Sequence, residues 1–192
     1  ISPSGIEWKT SFKLNTNTYL KHNNIDINAI PLAMLETRYP IKKKLNGKSH
    51  MIEPIIQLIK SSNKPYGNTI SKNISDSTTA EFEETNLFSV NRFPGYDIIE
   101  SGLRANIGGR YIFYDPNGWK FTSTFGRVYR EKKLNQFDTS VSTGLDMINS
   151  DYVSSFTLNT PKKLLFSSKL LFDGNLNIAK HETNLDIKNT GY

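Results

Sequence analysis

The sequence has no cysteine, which excludes disulfides, thiolate metal sites and a cysteine nucleophile. It has no run of ~18–20 apolar residues, so no helix of it can span a bilayer. The first residues, Ile-Ser-Pro-Ser-Gly, lack a charged and then apolar leader, so they are no signal peptide. Helical periodicity is nearly absent, and Asn, Thr, Ser, Gly and β-branched residues dominate. Most of these are poor helix formers. Hydrophobic residues make up only 36%, below the ~45–50% usual in soluble domains, a figure that also counts Gly. The aromatics are 11 Phe and 9 Tyr against 2 Trp. Polar strands rich in Phe and Tyr suit one apolar face per strand better than a thick two-sided core.

Catalytic constellations are also missing, and we expect no enzyme and no cofactor. His22, His50 and His181 are isolated, whereas a metal site needs clustered ligands. Glu81, Glu83 and Glu84 with Asp76 could offer oxygens to Ca²⁺, but their order matches no EF-hand; we read a solvated acidic loop. Gly108-Gly109 lies inside an apparent strand, so it is no phosphate loop, and marks a bulge or tight bend. No Ser sits in Gly-x-Ser-x-Gly. The net charge is +6, but Lys42 to Lys44, Lys132-Lys133 and Lys162-Lys163 each sit at the end of an alternating segment. They read as solvated turns, or as turns beside anionic headgroups, rather than as a nucleic-acid surface.

Period-two alternation is what the chain does show. Trp8, Thr10, Phe12, Leu14, Thr16 and Leu20 share one face; Lys9, Ser11, Lys13, Asn15 and Asn17 share the other. Trp119, Phe121, Phe125 and Tyr129 oppose Lys120, Thr122, Thr124, Gly126 and Arg130. Arg127 falls on the apolar side and marks a bulge or a strand end. Leu164, Phe166, Ser168, Leu170 and Phe172 oppose Lys163, Ser167, Lys169 and Asp173, with Leu165 and Leu171 out of pattern. Tyr152, Phe156 and Leu158 oppose Ser155, Thr157 and Asn159. Eight strands are expected, at about 6–21, 30–45, 49–60, 98–115, 118–131, 150–160, 162–173 and 176–189. Most reach the ~9–11 residues that a tilted strand needs to span a bilayer. Pro40 and Pro54 remove ladder donors, so bends, bulges or shorter strands are expected there.

The connections run 22–29, 46–48, 61–97, 116–117, 132–149, 161 and 174–175. Long and short alternate until the last. Asn46-Gly47 and Asn117-Gly118 are hairpin dipeptides. Outer-membrane barrels pair short periplasmic turns with long extracellular loops. The fold class expected is therefore all-β, an antiparallel up-and-down transmembrane β-barrel. This chain would supply part of it, about eight strands, with residues 1–192 in a single barrel domain. The loop at 61–97 is too long to be idle. Its second half, Asn86 to Asp97, must bury Leu87, Phe88 and Phe93, and the lumen wall of a wide barrel is the natural surface. Arg92 then needs a carboxylate or loop carbonyls; Glu83, Glu84 and Asp97 are the candidates. It would act either as a clamp shaping a transport path or as an anchor for the loop.

That stretch resembles the barrel of the lipopolysaccharide-assembly protein family (LptD, or OstA). The family shows Asn-Leu-Phe, then Asn-Arg-Phe-Ser-Gly, an aromatic or Leu, and Asp-Arg. Asn86, Leu87 and Phe88 match the first part; Asn91, Arg92, Phe93, Gly95, Tyr96 and Asp97 match the second. Pro94 stands for the family's Ser and Ile98 for its Arg, so no role of an Asp-Arg pair carries over. Arg38-Tyr39-Pro40, Ile52-Glu53-Pro54 and Gln57 resemble the strands before the loop. Gly102, Arg104, Ala105, Asn106 and Gly108 resemble the strand after it. Phe125-Gly126 with Tyr129, and Ser150-Asp151-Tyr152, continue the likeness, which runs over about 30–175 and is closest to the alphaproteobacterial branch.

The resemblance implies transport rather than catalysis. Lipopolysaccharide is accepted from a periplasmic bridge and released into the outer leaflet, with a plugging lipoprotein inside the barrel and outer-membrane lipids around it. The implied location is the bacterial outer membrane. The family's jellyroll domain and lateral gate are not recognisable, so a middle-to-late piece of the barrel is expected. The competing reading is a soluble β-sandwich, a carbohydrate- or protein-binding module. Membrane topology separates the two. With Cys placed at Asn68 or at Gly47 of the full-length protein, an impermeant thiol reagent should label only the first in intact cells; labelling of Gly47Cys alone would invert the topology.

Overall fold

The computed structural model describes residues 5–21, 24–62, 80–93, 98–137 and 143–187. They form one antiparallel sheet of nine strands: β1 (Glu7–Lys21), β2 (Asn24–Arg38), β3 (Ile41–Leu45), β4 (Lys48–Ser61), β5 (Leu103–Tyr114), β6 (Lys120–Arg130), β7 (Tyr152–Asn159), β8 (Leu164–Phe172) and β9 (Ile178–Ile187). No helix occurs among the described residues. The order is β1-β2-β4-β5-β6-β7-β8-β9, with β3 paired to β4. The sheet is open, with β1 and β9 as its edges, and every neighbour in it is antiparallel.

The ninth strand comes from proline. β2 and β3 lie end to end along the same edge of β4, and Tyr39-Pro40 interrupts what the alternation predicts as one strand. The Tyr39 amide donates to the Pro54 carbonyl at 3.2 Å. In an antiparallel strand a residue's N and O face the same neighbour, so the donor that Pro54 lacks points at this break. The two prolines thus meet at one gap in the ladder, between β2 and β3 along β4.

The first connection is a correction. A loop was expected at 22–29, but β2 begins at Asn24. Ile25, Ile27 and Ala29 already alternate toward the face of Pro31 and Ala33; the intervening Asn and Asp disguise the strand as a loop. Long and short connections therefore do not alternate at the start of the chain. The other correction shortens β5: residues 98–102 belong to the covering loop. The Asn46-Gly47 turn appears as expected, with both residues at positive φ (50° and 77°), as a type I′ hairpin demands.

The sheet's faces differ in kind. Ile30, Leu32, Met34, Glu36, Gln57, Ile59, Arg104, Asn106, Val128 and Arg130 lie on one face and are buried. Residues 80–93, 98–102, 134–137 and 143–150 fold back over it. The core is a cluster of Phe82, Leu87, Phe93, Val128, Phe137, Leu145, Val153 and Leu171, set between sheet and loops rather than between two sheets. Leu171, out of pattern in the sequence, packs here. The opposite face is open, and Phe12, Leu14, Ile27, Leu35, Ile56, Leu58, Ile107 and Phe125 are exposed on it.

Gly108-Gly109 forms no bulge. β5 stays in register with β6, and Gly108 faces Gly126. A Cβ on Gly126 would stand 2.6 Å from Leu87 Cδ2 and 2.7 Å from the Ile107 oxygen. The glycine pair is a hollow in the sheet that receives Leu87, a fully buried side chain. Overpacking such a site costs ~1–3 kcal/mol. Gly126→Ala should release the loop to protease while the strands stay protected. Leu87→Ala on top of it should cost less than the sum of the two single changes; strict additivity would show that the hollow and the leucine are unrelated.

Candidate functional site

The loop is shaped by two asparagines. Asn86 Oδ1 accepts from the Glu83 amide at 3.1 Å and its Nδ2 donates to the Glu81 carbonyl at 2.7 Å. This closes the turn that presents Leu87 to the glycine hollow and sets Phe88, partly buried, under the Arg110 guanidinium at 5.9 Å. Asn91 Oδ1 accepts from the Glu100 amide at 3.0 Å, and its Nδ2 donates to the carbonyls of Ile98 at 2.8 Å and Phe93 at 3.3 Å. One side chain therefore ties the outgoing arm of the loop to the returning arm. Phe93 stacks on Phe137 with centroids 5.1 Å apart, which joins this loop to the one after β6.

At the centre is Glu100, wholly buried. Arg92 Nη1 donates to its Oε2 at 2.6 Å, Arg130 Nε to its Oε1 at 3.0 Å, and Arg104 Nε lies 3.5 Å from Oε2. Burial alone would push the carboxyl up; Arg92, Arg104 and Arg130 together hold it at about 2 against an ordinary 4.5. A single carboxylate cannot neutralise three guanidiniums; several of their remaining donors go to loop carbonyls and to Asn106, while Arg92 Nε, Arg104 Nε and Arg130 Nη2 make no hydrogen bond. Arg92 Nη2 donates to Leu87 O and to Asn106 Oδ1, both at 2.8 Å. Arg104 donates to the carbonyls of Val90 and Glu100. Arg130 Nη1 donates to those of Leu145 and Met147 at 3.3 Å.

The network continues into the sheet. Asn106 Nδ2 donates to Gln57 Oε1 at 2.6 Å, and Gln57 Nε2 donates to Glu36 Oε2 at 2.9 Å and to the Phe88 carbonyl at 3.1 Å. Arg38 Nε donates to the other Glu36 oxygen at 2.7 Å. Ser61 Oγ donates to the Glu100 carbonyl at 2.6 Å, and the Gln136 side chain holds Ser101 and the Ile99 carbonyl. β2, β4, β5 and β6 are thus joined to both loops by polar groups that are mostly buried.

Of the residues singled out in the sequence, Asn86, Leu87, Phe88, Asn91, Arg92 and Phe93 come together at this site. Gly95, Tyr96 and Asp97 lie outside the described residues, and so does Asp76. The carboxylate of Arg92 is Glu100, not Glu83 or Glu84. Those two pair with Lys169 at 3.3 Å, and Glu81 pairs with Lys180 at 2.8 Å, so the acidic patch is a strap to β8 and β9. No group able to hold a metal ion occurs among the described residues. Glu100, Arg130 and Gln136 were not singled out. Arg104, Asn106 and Gln57 were noted only for their likeness to the family. Their signal lay in alternation: Arg104 and Asn106 interleave with Leu103, Ala105 and Ile107, which marks a polar face on an otherwise apolar strand.

The model of the LptD family, described as LPS transport system D, matches residues 6–191. This chain belongs to the LptD family. No curated protein matches it. Membership gives it a role in lipopolysaccharide transport, and the network just described is the interior feature of this LptD chain that fixes its loops.

Removing one partner of a buried pair typically costs ~3–5 kcal/mol. Because the folded carboxyl of Glu100 titrates below its unfolded value, its stabilisation is complete above about pH 4.5 and is lost as pH falls toward about 2. Pepsin cleavage within residues 80–102 should therefore rise over that interval in the wild type. In Glu100→Gln cleavage should be high throughout, with little dependence on pH. Equal, pH-independent protection in both proteins would show that Glu100 does not hold the loop.

Proposed function

We propose that this sheet is an arc of an outer-membrane β-barrel of the alphaproteobacterial type, which delivers lipopolysaccharide into the outer leaflet. In this reading the open apolar face meets membrane lipid. The loop-covered face lines the lumen, where a plugging lipoprotein would sit, and the chain carries no catalytic activity. The observation that carries the proposal is the chemistry of the open face. Across five strands it bears a continuous row of rings: His50 against Phe113 at 5.0 Å, Tyr111 against Phe121 at 6.0 Å, Phe121 against Phe156 at 6.2 Å and Phe156 against Phe166 at 5.7 Å. Outer-membrane barrels carry aromatic girdles at the edges of their apolar band, and this row lies toward the short-turn end.

Two further observations support it. Among the described residues, β1 and β2 run on past Ser61, the last residue of β4, from Pro31 up to Asn24 with only each other as strand partners. Strands that tilt around a barrel stagger in this way. The open edges of β1 and β9 would be intolerable in lipid, which fits a longer chain whose further strands cover them. The motif of Asn86 to Phe93 acts in this reading as a built-in wall of the lumen that narrows the transport path at its long-loop end.

The face assignment yields a test in the full-length protein. Leu170 and Lys169 alternate on β8, with Lys169 on the covered face beside Glu83 and Glu84. A mid-bilayer Arg on the lipid face costs ~2–4 kcal/mol. When each variant replaces the depleted wild type, Leu170→Arg should sharply reduce heat-resistant barrel and surface lipopolysaccharide. Lys169→Leu should leave both near normal. Equal effects of the two changes would refute the face assignment. Normal surface lipopolysaccharide without the protein would refute the function.

A further inference from the structure

One charge stands on the wrong face. Among the described residues of β5 to β8, the side chains that alternate onto the open face are apolar or neutral except that of Arg127. β6 keeps its register through it, so Arg127 marks neither a bulge nor a strand end. Its neighbours are Phe125 and Tyr129 along β6, Ile107 across the ladder and Tyr152 on β7. Its Nε donates to the Ser150 carbonyl at 2.6 Å and its Nη1 to Tyr152 Oη at 3.0 Å. The guanidinium carbon stands 4.3 Å from the Tyr152 ring centroid and 5.7 Å from that of Tyr129. An arginine hydrogen-bonded to Ser150 and Tyr152 and set over the Tyr152 ring is oriented rather than trailing in solvent.

A guanidinium has five N–H donors, and the two bonds above engage two of them. Nη2 lies near Gly174, at the turn between β8 and β9. Asp151 lies near enough to feel the charge of Arg127, yet among the described residues no carboxylate is within ion-pair distance of it. A fork with open donors, ringed by exposed apolar side chains near the long-loop end of β6, fits one kind of ligand. We propose that Arg127, with Tyr129 and Tyr152, binds the phosphate of a phosphorylated lipid headgroup whose acyl chains lie along Ile107 and Phe125. This rests on the outward face being the lipid face.

The neighbouring carboxylates decide the source of the phosphate. Asp151 and Asp173 repel a free anion, so electrostatics alone makes a weak site, and the apolar surface must supply the rest. That favours a lipid over inorganic phosphate. The depth fits as well, since the cost of an outward Arg falls to little near the interface, and Arg127 lies close to the end of β6 at Arg130.

The test uses full-length protein in zwitterionic detergent, with diphosphorylated lipid A, dephosphorylated lipid A and inorganic phosphate as probes and native mass spectrometry as the readout. One cation beside a headgroup is worth about fivefold in affinity. Arg127→Ala should therefore bind diphosphorylated lipid A about fivefold more weakly, and Arg127→Lys should fall between. Dephosphorylated lipid A should not distinguish the three. Heat-resistant migration should be unchanged in all of them. Equal binding of diphosphorylated lipid A by wild type and Arg127→Ala, with barrels intact, would overturn the headgroup site alone. Inorganic phosphate binding as tightly as the lipid would overturn lipid as its source. A wild-type protein that forms no inserted barrel would overturn the proposed function itself.

Discussion

Everything above the sheet depends on a charge imbalance beneath it. Glu100 is one buried carboxylate amid Arg92, Arg104 and Arg130. Burying unpaired cations is prohibitive, so each arginine must spread its remaining donors over neutral acceptors. The nearest are backbone carbonyls of the two loops: Leu87, Val90, Leu145 and Met147. Two of the arginines grow from strands, at β5 and β6, and one from the loop. Bonding the three of them at once to these carbonyls fixes both loops on the same patch of sheet. The loops' position is thus an electrostatic consequence, which the apolar contacts of Leu87, Phe93, Phe137 and Leu145 then fill in.

The division of labour between the faces is the reverse of a soluble protein's. Here most of the polar and charged groups under the loops are covered and hydrogen-bonded to one another, while a broad apolar surface with ordered rings is open. Exposed apolar patches of that extent mark interaction surfaces, and the proposed barrel would set this one against lipid. The covered face is rigid where the loops dock and open toward the short turns. Any lipopolysaccharide passing along it would meet a wall at the long-loop end, held by bonds that lipid and water cannot easily replace. Among the described residues of β5 to β8, Arg127 is the one charge on the other face, which shows how strict the segregation is there.

Much of this was written in the sequence. Period-two alternation located most strands within a few residues, because each strand has one polar and one apolar side, but it began β2 late and β5 early and read β2 and β3 as one strand. Asn46-Gly47 announced its turn, since few residue pairs tolerate two positive φ values in succession. The motif Asn86-Leu87-Phe88 with Asn91-Arg92-Phe93 announced a buried loop, because three large apolar side chains beside an arginine cannot be left in water. Lys169 and Leu170 were assigned to opposite faces by alternation alone. Family likeness then named the class that the pattern suited.

Other features needed the tertiary structure, for reasons that lie in distance. Which carboxylate meets Arg92 depends on the loop's return path, and Glu100 reaches it only because Asn91 draws residues 98–100 back. That Gly126 exists to admit Leu87 is invisible to a scan of neighbours, since the two residues are far apart along the chain and meet across a hollow. The gap shared by Pro40 and Pro54 depends on β4 pairing with both β2 and β3. Local pattern settles what each segment is, because alternation and turn geometry act over a few residues. Only the fold decides which segments face each other, because a buried charge is answered by whatever donor or acceptor the folded chain brings within about 3 Å.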